Sequence, residues 1–195
     1  MADELIRHND LTLRLMRDDI ADYQIMARWL TDARVLEFYE GRDNAFPLER
    51  IIEKYTPRVL QQDRVTPCFI TYHDAPIGYA QYYLVTDGDK HELGYATDDD
   101  VTNMIGIDLF IGEPALWNKG IGTRAVTLLL AYLFDTLHAT KVVLDPETWN
   151  ERAIRCYEKC GFRKVRILPQ HEMHEGAYRD SWLMEIAHEE FDARR

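Results

Sequence analysis

The sequence predicts a single α/β domain of about seven strands and four helices. Three observations predict it. Segments with apolar residues at every second position alternate along the chain with segments in which they recur every three or four, so strands and helices interleave. A glycine-rich turn, Trp117-Asn118-Lys119-Gly120-Ile121-Gly122-Thr123, opens an apolar helix late in the chain. The 195 residues, 46% of them hydrophobic, suffice to bury a full core. No repeat, low-complexity stretch or linker-like shift of composition divides them, so one domain spanning residues 1–195 is expected.

Leu11 to Met16 alternates apolar and polar residues and reads as the first strand. Ile20, Tyr23, Met26, Ala27 and Leu30 recur at helical spacing behind the acidic pair Asp18-Asp19 and give the first helix. Pro47 fits the opening of a second helix, carried on by Ile51, Ile52, Tyr55 and Leu60. Pro57 is expected to kink or divide it, because proline lacks an N–H and crowds the preceding turn. Val65 to Tyr72 and Ile77 to Val85 are rich in aromatic and β-branched residues and flank His73-Asp74-Ala75-Pro76, the pattern of an antiparallel hairpin. A polar, acidic loop runs from Thr86 to Thr102, and Met104 to Ile111 is the next strand. The helix after the glycine turn buries Ile121, Ala125, Leu128, Leu129 and Tyr132. Lys141 to Leu144 is a short strand, Asn150 to Cys160 a helix, and Phe162 to Leu168 pairs with Tyr178 to Ile186 to close the sheet.

Composition limits the partners. A formal net charge of -11 argues against a nucleic-acid groove or an anionic membrane surface and fits a cationic small molecule; it equally serves solubility. Met1-Ala2-Asp3-Glu4-Leu5-Ile6-Arg7 is polar where a signal peptide turns apolar, and the run Ala125 to Phe134 is too short to span a bilayer, so a cytoplasmic protein is expected. Cys68, Cys156 and Cys160 are an odd number and form no disulfide framework. Cys156 and Cys160 with His171 and His174 resemble a zinc set only in composition. The cysteines lie inside a helix, the histidines are too closely spaced, and a chain of this size needs no metal staple, so no metal is expected.

The glycine turn is suited to an anion. Gly120 and Gly122 permit tight backbone geometry and close approach, N–H groups at the start of the following helix face outward with the helix dipole behind them, and Lys119 adds a positive charge. The turn is neither a P-loop, for want of a lysine followed by serine or threonine, nor the opening fingerprint of a dinucleotide fold, for which it comes too late. Joined to the helix Asn150-Glu151-Arg152-Ala153-Ile154-Arg155-Cys156-Tyr157-Glu158-Lys159-Cys160-Gly161-Phe162, it resembles the GNAT superfamily of acyl-CoA-dependent N-acyltransferases. That resemblance covers roughly the whole chain and implies a mixed central sheet flanked by helices. It also implies acetyl-CoA as acyl donor, with the pyrophosphate on Trp117, Asn118, Lys119, Gly120, Ile121, Gly122 and Thr123. The pantetheine arm would then lie against Leu109, Phe110 and Ile111 and against Asn150, Ala153, Tyr157 and Lys159. The family usually begins the turn with Gln or Arg where this chain has Trp117, a departure that leaves the backbone cradle intact.

Within Ile105-Gly106-Ile107-Asp108-Leu109-Phe110-Ile111, Asp108 is a lone carboxylate in an apolar strand, costly unless something neutralises or uses it. Alone, it reads as an ion-paired or hydrogen-bonded structural residue. On the strand that precedes the cofactor turn, it becomes the candidate to hold a substrate ammonium and take its proton. The resemblance places Tyr157 beside the coenzyme sulfur as proton donor to the leaving thiolate; without it, Tyr157 is an aromatic residue packing helix on sheet. Asn150 also serves as a helix N-cap.

Thr66-Pro67, Pro76-Ile77-Gly78-Tyr79-Ala80-Gln81-Tyr82, Gly106-Ile107-Asp108, Asn118 to Thr123, Asp145-Pro146 and Arg152 to Lys159 are similar to the aminoglycoside 6'-N-acetyltransferase branch. This implies a polycationic acceptor with Gln81, Asp108 and Asp145 in or near its pocket. Glu92, and Asp100 from the run Asp98-Asp99-Asp100, would widen that pocket unless the run is simply a solvated loop. Among Trp29, Phe38 and Tyr39, the expected wall for sugar rings is Tyr39; Trp29 reads more simply as core. Two other readings stand beside this one: a siderophore-pathway N-acyltransferase acting on hydroxylysine or a related amine, and a non-catalytic acyl-CoA-binding regulatory domain. Monomer and homodimer are both open.

Overall fold

The structure, a computed structural model, describes residues 3–194. Met1 and Ala2, which belong to the polar opening stretch, and Arg195, which ends the expected domain, lie outside it. In chain order the elements are β1 Glu4–His8, β2 Leu11–Leu15, α1 Ile20–Trp29, α2 Ala33–Leu36, α3 Leu48–Val59, β3 Thr66–Tyr72, β4 Ala75–Leu84 and β5 Met104–Ile111. They continue with α4 Ile121–Ala131, β6 Lys141–Leu144, α5 Glu151–Cys160, β7 Arg163–His174, β8 Ala177–Ala187 and α6 His188–Asp192. The eight strands form one mixed sheet in the order β1-β2-β3-β4-β5-β6-β8-β7. Strands β5 and β6 run parallel, whereas β1–β2, β2–β3, β3–β4, β6–β8 and β7–β8 are antiparallel.

The strand expected to open the sheet is therefore its second. β1 escapes the period-two pattern because Glu4, Arg7 and His8 interrupt it. It is an edge strand that pairs with β2 from Glu4↔Arg14 to His8↔Leu11, and charge on an edge blocks pairing with other chains. β7 runs on to His174 instead of ending at Leu168. Pro169 reads as a strand breaker, yet β7 is the opposite edge, and the register shift between Leu168 and Glu172 accommodates a residue without an N–H. Pro57 does not divide α3; it sits in the last turn, where little helix remains to be broken. The short helices α2 and α6 are under two turns long, too brief to show a 3.6 period.

The described residues group into two compact units, each with its own core. The first comprises the chain up to Tyr82 together with Asp108–Leu129. Its core is built on Trp29, Tyr55, Phe69 and Tyr79, all essentially inaccessible to solvent. Asp19 caps α1 by accepting from the Asp22 N–H at 2.8 Å, and Asp22 in turn accepts from both terminal nitrogens of the Arg14 guanidinium at 2.7 Å, which fixes α1 against β2. The second unit comprises Tyr83–Ile107 and the described residues from Leu130 onward. Its core holds Val85, Leu93, Met104, Val143, Leu168 and Leu183.

Candidate active site

In the first unit the candidate site is built on β4 and β5. Side chains of a strand alternate between faces, so Tyr79 and Gln81 share one face of β4, and Asp108 and Phe110 share one face of β5. Gly78 lets the strands close up: a Cβ there would meet the Phe110 carbonyl oxygen at 2.4 Å. Phe110 turns into the core, its ring 4.6 Å from Tyr39, 5.7 Å from Tyr79 and 5.9 Å from Trp29 between centroids. Asp108 is half-buried and accepts a hydrogen bond from Gln81 Nε2 at 2.7 Å. The other end of the Gln81 amide is fully used, since its Oε1 accepts from Arg58 at 2.9 Å and from the Tyr79 hydroxyl at 2.8 Å. Asp108 and Gln81, expected together, are thus in direct contact.

The phenols around this network stay neutral. Desolvation drives the Tyr39, Tyr55 and Tyr79 hydroxyls well above the ordinary tyrosine range; neighbouring phenols add to the rise at Tyr39 and Tyr79, Glu40 and Asp108 add to it at Tyr55, and the Arg58 charge offsets part of it at Tyr55 and Tyr79. Tyr39, expected as a wall for sugar rings, is half-buried and packs on Phe110.

Beyond β5 the chain enters the glycine turn. The Trp117 indole N–H donates to the Ile111 carbonyl at 2.7 Å, which ties the turn back to the end of β5 and gives the unexpected tryptophan a structural task. Asn118 at φ 60° and Gly120 at φ 76° both take the left-handed conformation, and a Cβ on Gly120 would meet nothing within 4 Å. The turn is therefore open on its glycine side. The first i→i−4 bond of the ensuing helix runs from the Arg124 N–H to the Gly120 carbonyl at 3.1 Å. The N–H groups of Ile121, Gly122 and Thr123 precede that ladder at the positive end of α4. The Arg124 side chain pairs with Asp10, while Lys119 is exposed.

In the second unit Asp145 follows β6 and does not stand free. Its Oδ2 lies 2.7 Å from His171 Nε2, with both side chains largely buried. The Asp145 hydrogen bond, more than its charge, raises the His171 pKa above the ordinary value and outweighs burial; Glu172 and Glu92 add to the rise. Two residues further along the chain, Glu147 lies 3.1 Å from His174 Nδ1, and burial raises the Glu147 pKa against the pull of that imidazole. His171 and His174 thus each face a carboxylate, and the ligand atoms of Asp145, His171 and Glu172 lie within 4.8 Å of one another. Cys160 is buried and Cys156 half-buried. Of the acidic loop, Asp100 is exposed and accepts from the Thr102 N–H at 2.8 Å, a turn-stabilising role, and Glu92 is exposed within the field of His171. Asn150 caps α5 as its sequence suggests, accepting from the Ala153 N–H at 3.2 Å. Tyr157 is buried with its ring edge-on to Phe162, Ala153 is half-buried, and Lys159 is exposed.

Arg58 carries no sequence signal for the site. It falls on the face of α3 that buries Ile51 and Tyr55, seven and three residues earlier, and the chain does not show what partner that charge has until the fold brings it to Gln81. The carboxylate partner of His171 is hidden for the same reason, 26 residues away in the chain.

A family model described as the acetyltransferase (GNAT) domain matches residues 18–169. The aminoglycoside N(6')-acetyltransferase type 1 of Klebsiella pneumoniae is 35% identical over 158 residues, 80% of this chain and 76% of that protein. Two solved structures superpose on nearly the whole chain. AAC(6')-Ib in complex with ribostamycin and coenzyme A does so with a TM-score of 0.76 at 31% identity, over 96% of this chain and 98% of that one. AAC(6')-Ib with coenzyme A and kanamycin does so with a TM-score of 0.74 at 31% identity, over 94% and 98%. With its mixed eight-stranded sheet, the glycine turn at the head of α4 and a matched span of residues 18–169, the chain belongs to the GNAT family of acetyltransferases.

Proposed function

We propose that the protein transfers the acetyl group of acetyl-CoA to the 6'-amine of aminoglycoside antibiotics and so confers resistance to them. The observation that carries the reading is Asp108: a half-buried carboxylate held by a neutral amide at 2.7 Å, on the strand that leads into an open glycine turn. The acceptor class comes from relatives named for aminoglycoside acetylation, and the net charge of -11 suits a polycation.

The residues present fit acetyl-CoA. The open glycine side of the turn and the N–H groups ahead of the α4 ladder suit a pyrophosphate, held by Asn118, Lys119, Gly120, Ile121, Gly122 and Thr123, with Trp117 bracing the turn. The β5–β6 register holds Met104, Ile105 and Gly106, so Leu109, Phe110 and Ile111 lie beyond it with an edge suited to pantetheine amides. Phe110 contributes there through its backbone, because its ring is committed to the core. Asn150, Ala153 and Lys159 are assigned to the remainder of the arm. Acetyl-CoA supplies an activated thioester carbonyl.

Asp108 attracts the ammonium of the acceptor and takes its proton, freeing the amine to attack. Tyr157 Oη holds the proton that the departing sulfur needs. Within the first unit Gln81 keeps Asp108 in place and Tyr39 offers an apolar edge; within the second, Asp145 is assigned to an ammonium, with Glu92 and Asp100 adding negative field. The matched domain takes in parts of both compact units, and the chain is proposed to work as one functional domain. Among the described residues no helix is long and apolar enough to cross a membrane, and we assign the activity to the cytoplasm.

Free-thiol release from acetyl-CoA tests the reading, with kanamycin, hydroxylysine and no acceptor run in parallel. Turnover on kanamycin alone is expected. Turnover confined to hydroxylysine would replace the acceptor class, and a thermal shift with acetyl-CoA without turnover on any amine would make the chain a binding domain.

A further inference from the structure

We propose that Arg58 is a positioning residue that locks the orientation of the Gln81 amide, so that only the donor end of that amide can face Asp108. The proposal rests on Asp108 being the group that takes the acceptor's proton.

An amide side chain has one end that accepts and one that donates, and the two are nearly isosteric, so the contacts around Gln81 decide which end faces Asp108. With Oε1 toward Arg58 and Tyr79, both lone pairs of that oxygen are used, at 2.9 and 2.8 Å, and Nε2 donates to Asp108 Oδ2 at 2.7 Å. In the flipped amide, NH2 would face the guanidinium and the carbonyl oxygen would face the carboxylate, a donor against a donor and an acceptor against an acceptor. Tyr79 alone does not forbid this, because a hydroxyl rotates to accept as readily as it donates. Arg58 does forbid it: a guanidinium carries donors only and stays protonated at every accessible pH. The restriction therefore comes from a residue on α3 that acts on Asp108 through the Gln81 amide.

Arg58 is itself held in place. It lies half-buried, its Nε is 3.4 Å from Asp63 Oδ2, and its guanidinium carbon sits 5.5 Å from the centre of the Tyr55 ring. Tyr39 and Tyr55, which feel the Asp108 charge, are neutral phenols and can take either hydrogen-bonding role, so they do not fix the amide as a guanidinium does; Glu40, which also bears on both phenols, is engaged by Lys54 at 2.6 Å. With Arg58 gone, the amide samples both orientations, and the flipped one places a carbonyl oxygen beside the carboxylate and favours its protonated form. The acid limb of kcat/KM then moves upward, and the loss is large at low pH and small at high pH. A purely structural loss would scale all pH values alike.

The test compares Arg58→Lys, which keeps an obligate donor, with Arg58→Gln and Arg58→Met, which remove it with different shapes so that the test survives misfolding of either. Two readouts are taken: the pH profile of kcat/KM with kanamycin, and the pH titration of the Asp108 side-chain carboxyl by 13C NMR, assigned with Asp108→Asn. The expected result is that Gln and Met raise both midpoints by about one unit, a tenfold change in proton affinity, and that Lys restores most of the wild-type value. Midpoints unmoved in a folded Gln or Met variant, or moved equally in Lys, would overturn the proposal. If the wild type does not turn over aminoglycosides while the Asp108 carboxyl still titrates higher in Arg58→Gln, the lock stands and the proposed activity falls.

Discussion

Two carboxylates proposed to bind ammonium groups, one in each compact unit, are held in opposite ways. In the first unit Asp108 is approached by the neutral amide of Gln81, at 2.7 Å. In the second, Asp145 is approached at the same distance by an imidazole whose pKa it raises. The neutral amide steadies Asp108 without cancelling its charge, so the carboxylate keeps its attraction for an ammonium and its capacity for a proton. The imidazole cancels the charge of Asp145 whenever it is protonated. One carboxylate is suited to chemistry and the other to adjustable binding, and the difference lies in the residue beside each, not in the carboxylates.

The comparison breaks most sharply at Asp108. Asp108→Asn keeps the shape and the hydrogen-bonding reach but cannot take a proton, so kcat is expected to fall about 10²- to 10⁴-fold. Acetyl-CoA affinity, followed by calorimetry, should stay within a factor of two. A kcat within threefold of wild type would remove Asp108 as base. Tyr157→Phe comes next, with a loss of about tenfold expected, since water can supply a proton to a thiolate where it cannot replace a fixed base. Stopped-flow thiol release should show that loss in the acetyl-transfer step; an unchanged rate there would return Tyr157 to a packing role against Phe162.

How far these roles were legible in the sequence depends on the distance over which each is encoded. β5 and β6 were readable to the residue because their apolar and β-branched runs are bounded by polar turns. The Asn150 cap, the glycine turn and the position of Asp108 are local patterns too, and each appears where the sequence put it. β1 was not legible, because a charged edge strand has no hydrophobic period, and the full length of β7 was hidden by Pro169. In the candidate site, Asp108 was visible as an anomaly within one strand. Its setting was not: Arg58, Gln81 and Asp108 are brought together by three separate elements, and no spacing in the chain announces that. For the same reason Asp145 read as a free anion until its histidine was placed against it.

The smallest effect sharpens the comparison most, because it has opposite signs in two measurements. The His171 pKa lies above its ordinary value of 6.5, so the pair with Asp145 contributes its full stability below that value and loses it as pH rises through the raised one. Thermal melts of wild type and His171→Gln should therefore differ most in mildly acidic solution and converge as pH rises. Acceptor binding should run the other way. As His171 loses its proton, Asp145 regains net charge for an ammonium, and the kanamycin dissociation constant should fall by about two- to fivefold across that range. His171→Gln should flatten this step, and Asp145→Ala should abolish it while weakening binding at high pH. Nothing comparable is expected from the Gln81 side, where the holder does not titrate. A step of equal size in Asp145→Ala would mean that the pH dependence of acceptor binding arises elsewhere, and Asp145 would then belong with the structural carboxylates of the second unit, beside Glu147.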